Sequence, residues 1–449
     1  MARASFPHPL TLLTACILAA AVASYVLPAG RYDRREDPAT GRTVVIAGTY
    51  RHVGRTPVGL FDAFVAVPKG LAEAGSVVFL VFLVGGAFTV VDETGALRQA
   101  VEWLVRRIQN REALLIPIVS LTFATGGALE NMSEEIIALV PVLLLVTTRL
   151  GFDAITAVAI SIGAAGVGAA FSPINPFQVQ IAQKLAGLPL LSGSAFRLVV
   201  LALALAIWIA ATWRHALRTR VAMPVDVDEG GSATTALDGR RTIVLLLVIA
   251  TFVVFVYGVM RLGWDFDQMS GLFFAMGIAA GLIGGLGAGG TATAFVTGFS
   301  SMAYAAMVIG FARAIFVVLD QGHIIDTIVN ALVQPLQSLP VMLSALGMLF
   351  VQATLHGPVP SVSGQAVLTM PVLVPMSDLI GLSRQVVVLA YQYGAGLMEL
   401  MTPTNGALMA VAAAAGVKYG DWLRFVVPVF AVLMALSGVA IVVAIAIRL

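Results

Sequence analysis

The stretch SEEIIALVPVLLLVTTRLGFDAITAVAISIGAAGVGAAFSPIN, residues 133–175, has a counterpart in SGQAVLTMPVLVPMSDLIGLSRQVVVLAYQYGAGLMELMTPTN, residues 363–405. Four landmarks recur at the same spacing without a gap: a serine, a proline, a glycine, and a closing tetrad with proline second and asparagine last. They are Ser133, Pro141, Gly151 and Ser172-Pro173-Ile174-Asn175 in the first copy, and Ser363, Pro371, Gly381 and Thr402-Pro403-Thr404-Asn405 in the second. A pattern of this length at a fixed offset indicates two structural repeats.

The composition places both copies in a membrane. Of 449 residues, 59% are hydrophobic and 11% charged, which is typical of a polytopic membrane protein. The basic residues lie in short loops and form no patch, so we expect no nucleic-acid partner. The five histidines have neither helical metal-ligand spacing nor cysteine partners, so we expect no metal centre and no cofactor.

Apolar segments of spanning length alternate with two kinds of interruption. We predict a first repeat over residues 1–213, a cytoplasmic linker over 214–241, and an extra span with the second repeat over 242–449. Each repeat has a re-entrant hairpin, whose arms are too short for two full spans, and a helix broken at the tetrad by proline. The hairpins are residues 113–148 and 341–379, and the broken helices are residues 154–186 and 386–416.

Charge placement predicts the orientation. The arginines of the amphipathic segment 96–112 and of the linker are expected in the cytoplasm. Counting crossings from a cytoplasmic N-terminus, with an interfacial helix over 291–301 and a span over 302–319, puts the first hairpin inside and the second hairpin and the C-terminus outside. The repeats are then inverted. Residues 29–56 would be external although they carry six arginines, which opposes this orientation.

Inverted repeats with broken helices are the plan of secondary transporters, in which half-helix ends and freed carbonyls hold solute and coupling ion. Non-helical backbone persists in a bilayer only inside protein or beside a water-filled cavity. The two hairpin tips and the two tetrads are therefore candidate binding segments. Simple proline kinks are the alternative for the tetrads, but recurrence with an asparagine in each favours a shared role.

Four glutamates lie beside these interruptions. A carboxylate costs about 2.5–3.5 kcal/mol at a helix centre on insertion scales, so they predict a bound cation or proton, unless one or two face water at a hairpin. Neutral polar side chains nearby suit a substrate carboxylate on helix N-termini and sodium on oxygens. The predicted binding residues are Glu130, Asn131, Ser133, Glu134, Glu135, Ser172, Asn175, Gln178, Ser361, Ser363, Gln365, Glu399, Thr402, Thr404 and Asn405.

Two further ionisable residues have open roles. Arg313 lies well inside a predicted span, where it could pair with a glutamate or with a substrate carboxylate, and we favour the structural ion pair. His356 in the second hairpin could relay protons, but the sequence identifies no partner and favours a satisfied polar group.

Longer motifs resemble a known family. They are GGALENMSEE (126–135), SPINPFQVQIAQKLAGLPLLSG (172–193), SVSGQAVLTMPVLVPMSDLIGLSRQVVVLAYQYG (361–394) and VKYGDWLRFVVP (417–428). They are similar to the YfcC-like branch of the anaerobic C4-dicarboxylate carrier family, in the ion transporter superfamily. The resemblance implies inverted repeats, elevator-type movement of a transport domain, and a homodimer. It places the binding segments at Glu130–Glu135, Ser172–Gln178, Ser361–Gln365 and Thr402–Asn405.

The sequence thus predicts an all-α, multi-pass protein of the cytoplasmic (inner) membrane that transports a small carboxylate-bearing solute, a C4-dicarboxylate or related organic acid, coupled to sodium or protons. A basic amino acid antiporter or exchanger is the alternative, because the excess of intramembrane acids also suits an ammonium group. An ion channel or a pure cation/proton antiporter is less favoured. The sequence contains no catalytic motif, so we expect no enzyme. The expected partners are the lipid bilayer and the solute.

Overall fold

The computed structural model describes residues 9–38, 42–97, 112–221, 239–262 and 264–449. Most of the predicted amphipathic segment 96–112 and most of the predicted linker therefore lie outside the described residues. The described helices are α1 (Pro9–Val26), α2 (Leu60–Glu73), α3 (Gly75–Glu93), α4 (Leu115–Glu130), α5 (Val140–Arg149), α6 (Ala154–Ala170), α7 (Ile181–Leu185), α8 (Ser194–Thr219), α9 (Gly239–Leu262), α10 (Phe266–Ile283), α11 (Gly287–Gln321), α12 (Ile325–Val333), α13 (Val341–His356), α14 (Val362–Leu379), α15 (Arg384–Met398), α16 (Gly406–Ala414) and α17 (Tyr419–Ala446).

The predicted all-α membrane architecture is confirmed at this level. Five of the described helices, α3, α8, α10, α11 and α17, are long and apolar enough to cross a membrane. Shorter irregular turns accompany them. They are 3₁₀ helices at Glu112–Leu114, Glu134–Leu139 and Gln334–Ser338, and π-helical turns at Ala159–Gly163, within α6, and Pro176–Gln180.

The polar segment after α1 contains the described strands. Gly30–Arg31 pairs with Arg51–His52, and Arg34–Asp37 pairs with Arg42–Val45, both antiparallel. The Arg34 guanidinium lies 2.8 Å from Asp326 at the start of α12, and Arg51 lies 3.0 Å from Asp33. At least two of the six arginines are thus held in ion pairs within the folded protein.

The tip of the first hairpin is shorter than the sequence predicts. The sequence predicts a first arm that ends at residue 125 and a polar connection over 126–135, but α4 continues to Glu130 and the chain turns at Asn131, whose φ of 58° is left-handed. The glycines of the predicted connection allow close helix packing. A Cβ on Gly127 would lie 2.0 Å from the Ala165 carbonyl oxygen of α6, so only glycine fits this helix crossing.

The prediction of an interfacial helix over 291–301 followed by a separate span is wrong, because α11 is one continuous helix of 35 residues. At about 1.5 Å per residue it is about 52 Å long, longer than a hydrocarbon core of about 30 Å. Its polar side chains do not interrupt the helix, since the hydroxyls of Thr291, Thr293, Thr297 and Ser300 donate to carbonyls four residues earlier.

Both predicted broken helices are interrupted at the tetrads. The first runs as α6, stops at Phe171, and resumes at Pro176, which occupies the first helical position where its missing N–H costs nothing. The second runs as α15 and resumes at Gly406 as α16.

The hairpins and broken helices pack together, with α4 against α6, α13 and α14 against α15, and α6 against α15. Helices α2 and α3 instead pack along α11, and these three helices are called the α2–α11 group below. Helix α11 also contacts α16. Helix α11 therefore joins two groups of helices.

The Gly127 contact makes a stability prediction. Gly127→Ala should lower the free energy of unfolding by about 1–3 kcal/mol, because the new methyl group would overlap a backbone carbonyl that cannot move cheaply. The measurement is thermal unfolding of the purified protein in detergent. Gly271→Ala, where a Cβ would meet open space in α10, is the control and should be neutral or stabilising. An unchanged melting temperature for Gly127→Ala would contradict the close approach.

Candidate functional site

A polar cavity of about 460 Å³ lies where both hairpin tips, the second break and the α2–α11 group meet. The hairpin tips and breaks contribute Asn131, Ser133, Glu134, Phe177, Pro360, Ser361, Val362, Ser363, Glu399, Thr404, Asn405, Gly406 and Ala407. Helices α2, α3 and α11 contribute Glu73, Ala74, Val77, Ile309, Ala312 and Arg313. Eight predicted binding residues are therefore brought together on one cavity wall.

A larger cavity of about 890 Å³ between α13 and α17 is lined mainly by apolar side chains such as Leu349, Phe350 and Val427. We place the candidate site in the smaller cavity, because recognition of a polar solute requires convergent polar groups.

Two helix N-termini open onto the polar cavity. The Ser361 hydroxyl accepts a hydrogen bond from the Gly364 N–H and caps α14. The Asn405 side-chain oxygen accepts one from the Leu408 N–H at 3.1 Å and caps α16. Residues of the first turn of each helix line the cavity, so the positive ends of two helix dipoles lie at its wall. This arrangement suits an anionic group.

Charged side chains from the α2–α11 group form the opposite wall. The Arg313 Nε lies 2.8 Å from Glu73 Oε2, with 42% and 45% of the two side chains exposed. The predicted pairing of Arg313 with a glutamate is confirmed, and the pair lies on the cavity wall. No sequence pattern indicated Glu73, because the residue ends a short helix far from the repeated segments.

Glu399 has partners on both sides. The Nε2 of His356 lies 3.2 Å from Glu399 Oε1, and the side-chain amide of Asn405 donates to Glu399 Oε2 at 3.2 Å and to the Glu399 carbonyl at 3.0 Å. The His356 side chain is fully buried. The sequence could not identify a partner for His356 because Glu399 lies at the end of α15, separated from His356 by α14.

The first tetrad does not line the cavity and instead forms hydrogen bonds within the fold. The buried Ser172 hydroxyl donates to the Ala128 carbonyl at 2.6 Å, and the buried Asn175 amide donates to the Gly127 carbonyl at 2.8 Å. The Asn175 side-chain oxygen accepts from the N–H groups of Phe177 and Gln178, the first two N–H groups of the following π-helical turn, at 2.9 Å each. These residues tie the first break to the end of α4.

Other predicted residues support those on the wall. Gln178 donates to the Asn131 side-chain oxygen at 2.7 Å, and the hydroxyls of Thr402 and Thr404 lie 2.8 Å apart. Gln365 is fully buried in the second hairpin.

The remaining two predicted residues are glutamates of the first hairpin. The Glu135 carboxylate accepts from the Ser133 N–H at 3.0 Å and so shapes the tip. Glu130 ends α4, and its side chain lies outside the described part of the structure.

The sequence analysis missed Arg197, which is buried at 0% exposure in α8. Its guanidinium donates to the side chains of Gln385 and Gln392 at 3.1 Å each and to the Ser192 carbonyl at 2.8 Å. Gln392 in turn donates to the Ser172 carbonyl at 2.7 Å. Arg197 thus connects α15 to the first break. Arg197 lies outside the repeated segments 133–175 and 363–405, from which the binding residues were predicted.

The bonds of Asn175 predict different effects for two substitutions. Asn175→Asp keeps the capping oxygen but loses the donor to Gly127, and should cost about 1–3 kcal/mol of unfolding free energy. Asn175→Ala also loses the cap and should cost about 0.5–2 kcal/mol more. Thermal unfolding in detergent measures both. Asp265→Asn, an exposed cap of α10 that keeps its acceptor, is the control. Parental stability of Asn175→Asp would refute the role of the Gly127 bond.

Comparisons with known proteins agree with this membrane architecture. The family model described as DcuC, C4-dicarboxylate anaerobic carrier, matches residues 6–446. A Haemophilus influenzae protein described as uncharacterized is 30% identical, with 98% of this chain and 97% of the relative covered. An Escherichia coli protein described as "Putative basic amino acid antiporter YfcC" is also 30% identical, with 98% and 96% covered.

Two solved structures are also similar. The YdaH transporter of Alcanivorax borkumensis is 19% identical with a TM-score of 0.44, and 98% of this chain and 99% of that chain are covered. Neisseria gonorrhoeae MtrF, described with a class of antimetabolite efflux pumps, is 16% identical with a TM-score of 0.40, and 98% and 95% are covered. The family model, which matches nearly the whole chain, and the two 30%-identical relatives show that the chain belongs to the C4-dicarboxylate anaerobic carrier family of membrane transporters.

Proposed function

We propose that the chain is a secondary transporter that carries a small carboxylate-bearing solute, a C4-dicarboxylate or related organic acid, across the cytoplasmic membrane, coupled to sodium or protons. The observation that carries this proposal is the polar cavity at which the N-termini of α14 and α16 meet opposite Arg313. Two helix dipoles and a guanidinium are well suited to hold the carboxylates of one small solute.

The charges of the cavity wall call for a cation as well. Three carboxylates, Glu73, Glu134 and Glu399, face one guanidinium. Glu134 has no ion-pair partner among the described residues. A dianionic solute would therefore bind together with a proton or a sodium ion that offsets the carboxylates.

The same carboxylates favour a second candidate, a basic amino acid exchanged by antiport. Its ammonium groups would lie at Glu134 and Glu399, and its carboxylate would lie at the helix N-termini. The description of the Escherichia coli relative points in the same direction.

For the mechanism, we propose that the hairpins and broken helices form inverted repeats, within 1–213 and 242–449, joined by the linker 214–241. They would move as one body in an elevator-type motion, with the N-terminus cytoplasmic, the C-terminus external, and the protein a homodimer. The mutual packing of α4, α6, α13, α14 and α15 supports a single moving body. The location of the cavity between this body and the α2–α11 group supports a site that can be exposed by relative movement.

Uptake into proteoliposomes tests the proposal. Labelled succinate, fumarate, acetate, arginine and lysine are supplied with and without sodium or pH gradients. We expect saturable uptake of at least one of these carboxylates. Absence of saturable uptake for the whole panel, or a conductance that persists without any solute gradient, would contradict a carboxylate carrier.

The ion pair on the cavity wall predicts opposite effects on the KM for a dicarboxylate. Glu73→Gln frees the guanidinium and should lower KM, whereas Arg313→Gln removes it and should raise KM. Because the pair is nearly half exposed, each change should be about two- to fivefold, as for an exposed ion pair of up to about 1 kcal/mol. Concentration-dependent uptake measures both.

The matched controls are Asp421→Asn and Arg424→Gln, which remove an exposed ion pair of the same 2.8 Å length away from the cavity. They should leave KM unchanged. Changes in the same direction for Glu73→Gln and Arg313→Gln would show that Arg313 does not attract the solute.

A further inference from the structure

A directional chain of hydrogen bonds inside the second hairpin fixes the orientation of its buried amides. The Thr369 hydroxyl donates to the Gln365 carbonyl at 2.8 Å, so it accepts from the Gln352 side-chain nitrogen at 2.9 Å. Gln352 therefore turns its side-chain oxygen toward Gln365. The Gln365 nitrogen donates to that oxygen and, at 2.7 Å, to the Gln352 carbonyl. Gln365 must then present its own oxygen to His356.

This orientation determines the protonation of His356. Its Nδ1 lies 3.1 Å from the Gln365 side-chain oxygen, which can only accept, so Nδ1 carries a hydrogen. The Nε2 lies 3.2 Å from Glu399 Oε1 and forms no hydrogen bond in the described structure. A neutral imidazole and an ionised carboxylate would place two lone pairs against each other. One proton between Nε2 and Oε1 removes this repulsion, whichever atom holds it.

The pair is connected to the cavity. Glu399 lines the cavity wall, and its Oε2 accepts from the Asn405 amide, whose oxygen caps α16. Loss of a proton from the pair would therefore change the charge at the cavity and the hydrogen bonds at the second break.

Other ionisable groups face the same region. The cavity brings Glu134 from the first hairpin, and Glu73 and Arg313 from the α2–α11 group, to the side of Glu399 away from His356. On α15, which packs against the helix of His356, the Tyr391 hydroxyl donates to the Val362 carbonyl at 2.7 Å. The proton between His356 and Glu399 is thus bordered by carboxylates on the cavity side.

We propose that His356 Nε2 and Glu399 Oε1 together bind the coupling proton of the transporter, one proton per cycle. This inference rests on the proposed transport function and names its coupling ion. With the proton bound, Glu399 stays against His356 and an anionic solute can occupy the helix N-termini. Without it, Glu399 is repelled from Nε2 toward the cavity and excludes the anion. An ammonium-bearing solute would instead replace the proton at the same carboxylate.

Transport in sodium-free proteoliposomes tests the coupling, with whichever of labelled succinate, fumarate, arginine or lysine the parent protein carries. In the parent, a gradient of one pH unit should change solute accumulation about tenfold for one coupled proton. His356→Gln removes the imidazole but leaves the residues that line the cavity unchanged, so it should still exchange labelled for unlabelled solute while losing the response to the pH gradient. Asp421→Asn, an exposed control, should keep it.

Accumulation that ignores the pH gradient in the parent, or a His356→Gln protein that still responds to it, would overturn the proton site while leaving the transport function intact. Loss of exchange in His356→Gln would also count against the proposal, because the imidazole would then be needed for more than the proton.

A second measurement does not depend on transport. Nitrogen NMR of histidine-labelled protein in detergent, with the His356 signal assigned by its loss in His356→Gln, reports which ring nitrogens are protonated. We expect Nδ1 to be protonated throughout, and the Nε2 signal to change in Glu399→Gln. A bare Nδ1, or a pH response that Glu399→Gln leaves unchanged, would overturn the site even if no probe is transported.

Discussion

The structure depends on the requirement that backbone groups freed inside a membrane find hydrogen-bond partners within the protein. Two asparagines meet this requirement in the same way. Asn175 caps the turn that follows the first break and donates to the carbonyl of Gly127, and Asn405 caps α16 and donates to the carbonyl of Glu399. Each side chain caps a helix start and at the same time donates to a backbone carbonyl. The chain can therefore interrupt two helices without leaving these groups unpaired.

The two breaks nevertheless have different surroundings. The first is closed, because Ser172 and Asn175 are fully buried and bond to the end of α4. The second faces the cavity with Glu399, Thr404 and Asn405. The polar network next to the second break, from Thr369 to His356, has hydrogen bonds whose donors and acceptors are fixed in one direction. The polar residues that line the cavity are concentrated at the second break and at both hairpin tips.

Local signals predicted the hairpins and the breaks, since proline and the recurring asparagines act on their immediate neighbours. What failed depends on long-range packing. From the sequence, Gly127 belongs to the polar connection between the hairpin arms, whereas in the structure it lies in α4 where α6 crosses it. The hydroxyl-rich start of α11 was predicted to be interfacial, but its hydroxyls bond within one continuous helix. Glu73 reaches the cavity only through the packing of α2 on α11. The residues that match between the two copies also could not predict which break is buried and which one faces the cavity.

The central claim is that the solute binds in the cavity between the hairpin tips and α11. The direct measurement is protection of Ser363→Cys from a small thiol reagent, in a Cys16→Ala background that removes the single native cysteine. Ser338→Cys, at an exposed position outside the cavity, is the control. We expect the transported solute to slow labelling at position 363, with half-protection near its KM, and to leave position 338 unaffected. Equal labelling of position 363 with and without saturating solute would contradict it.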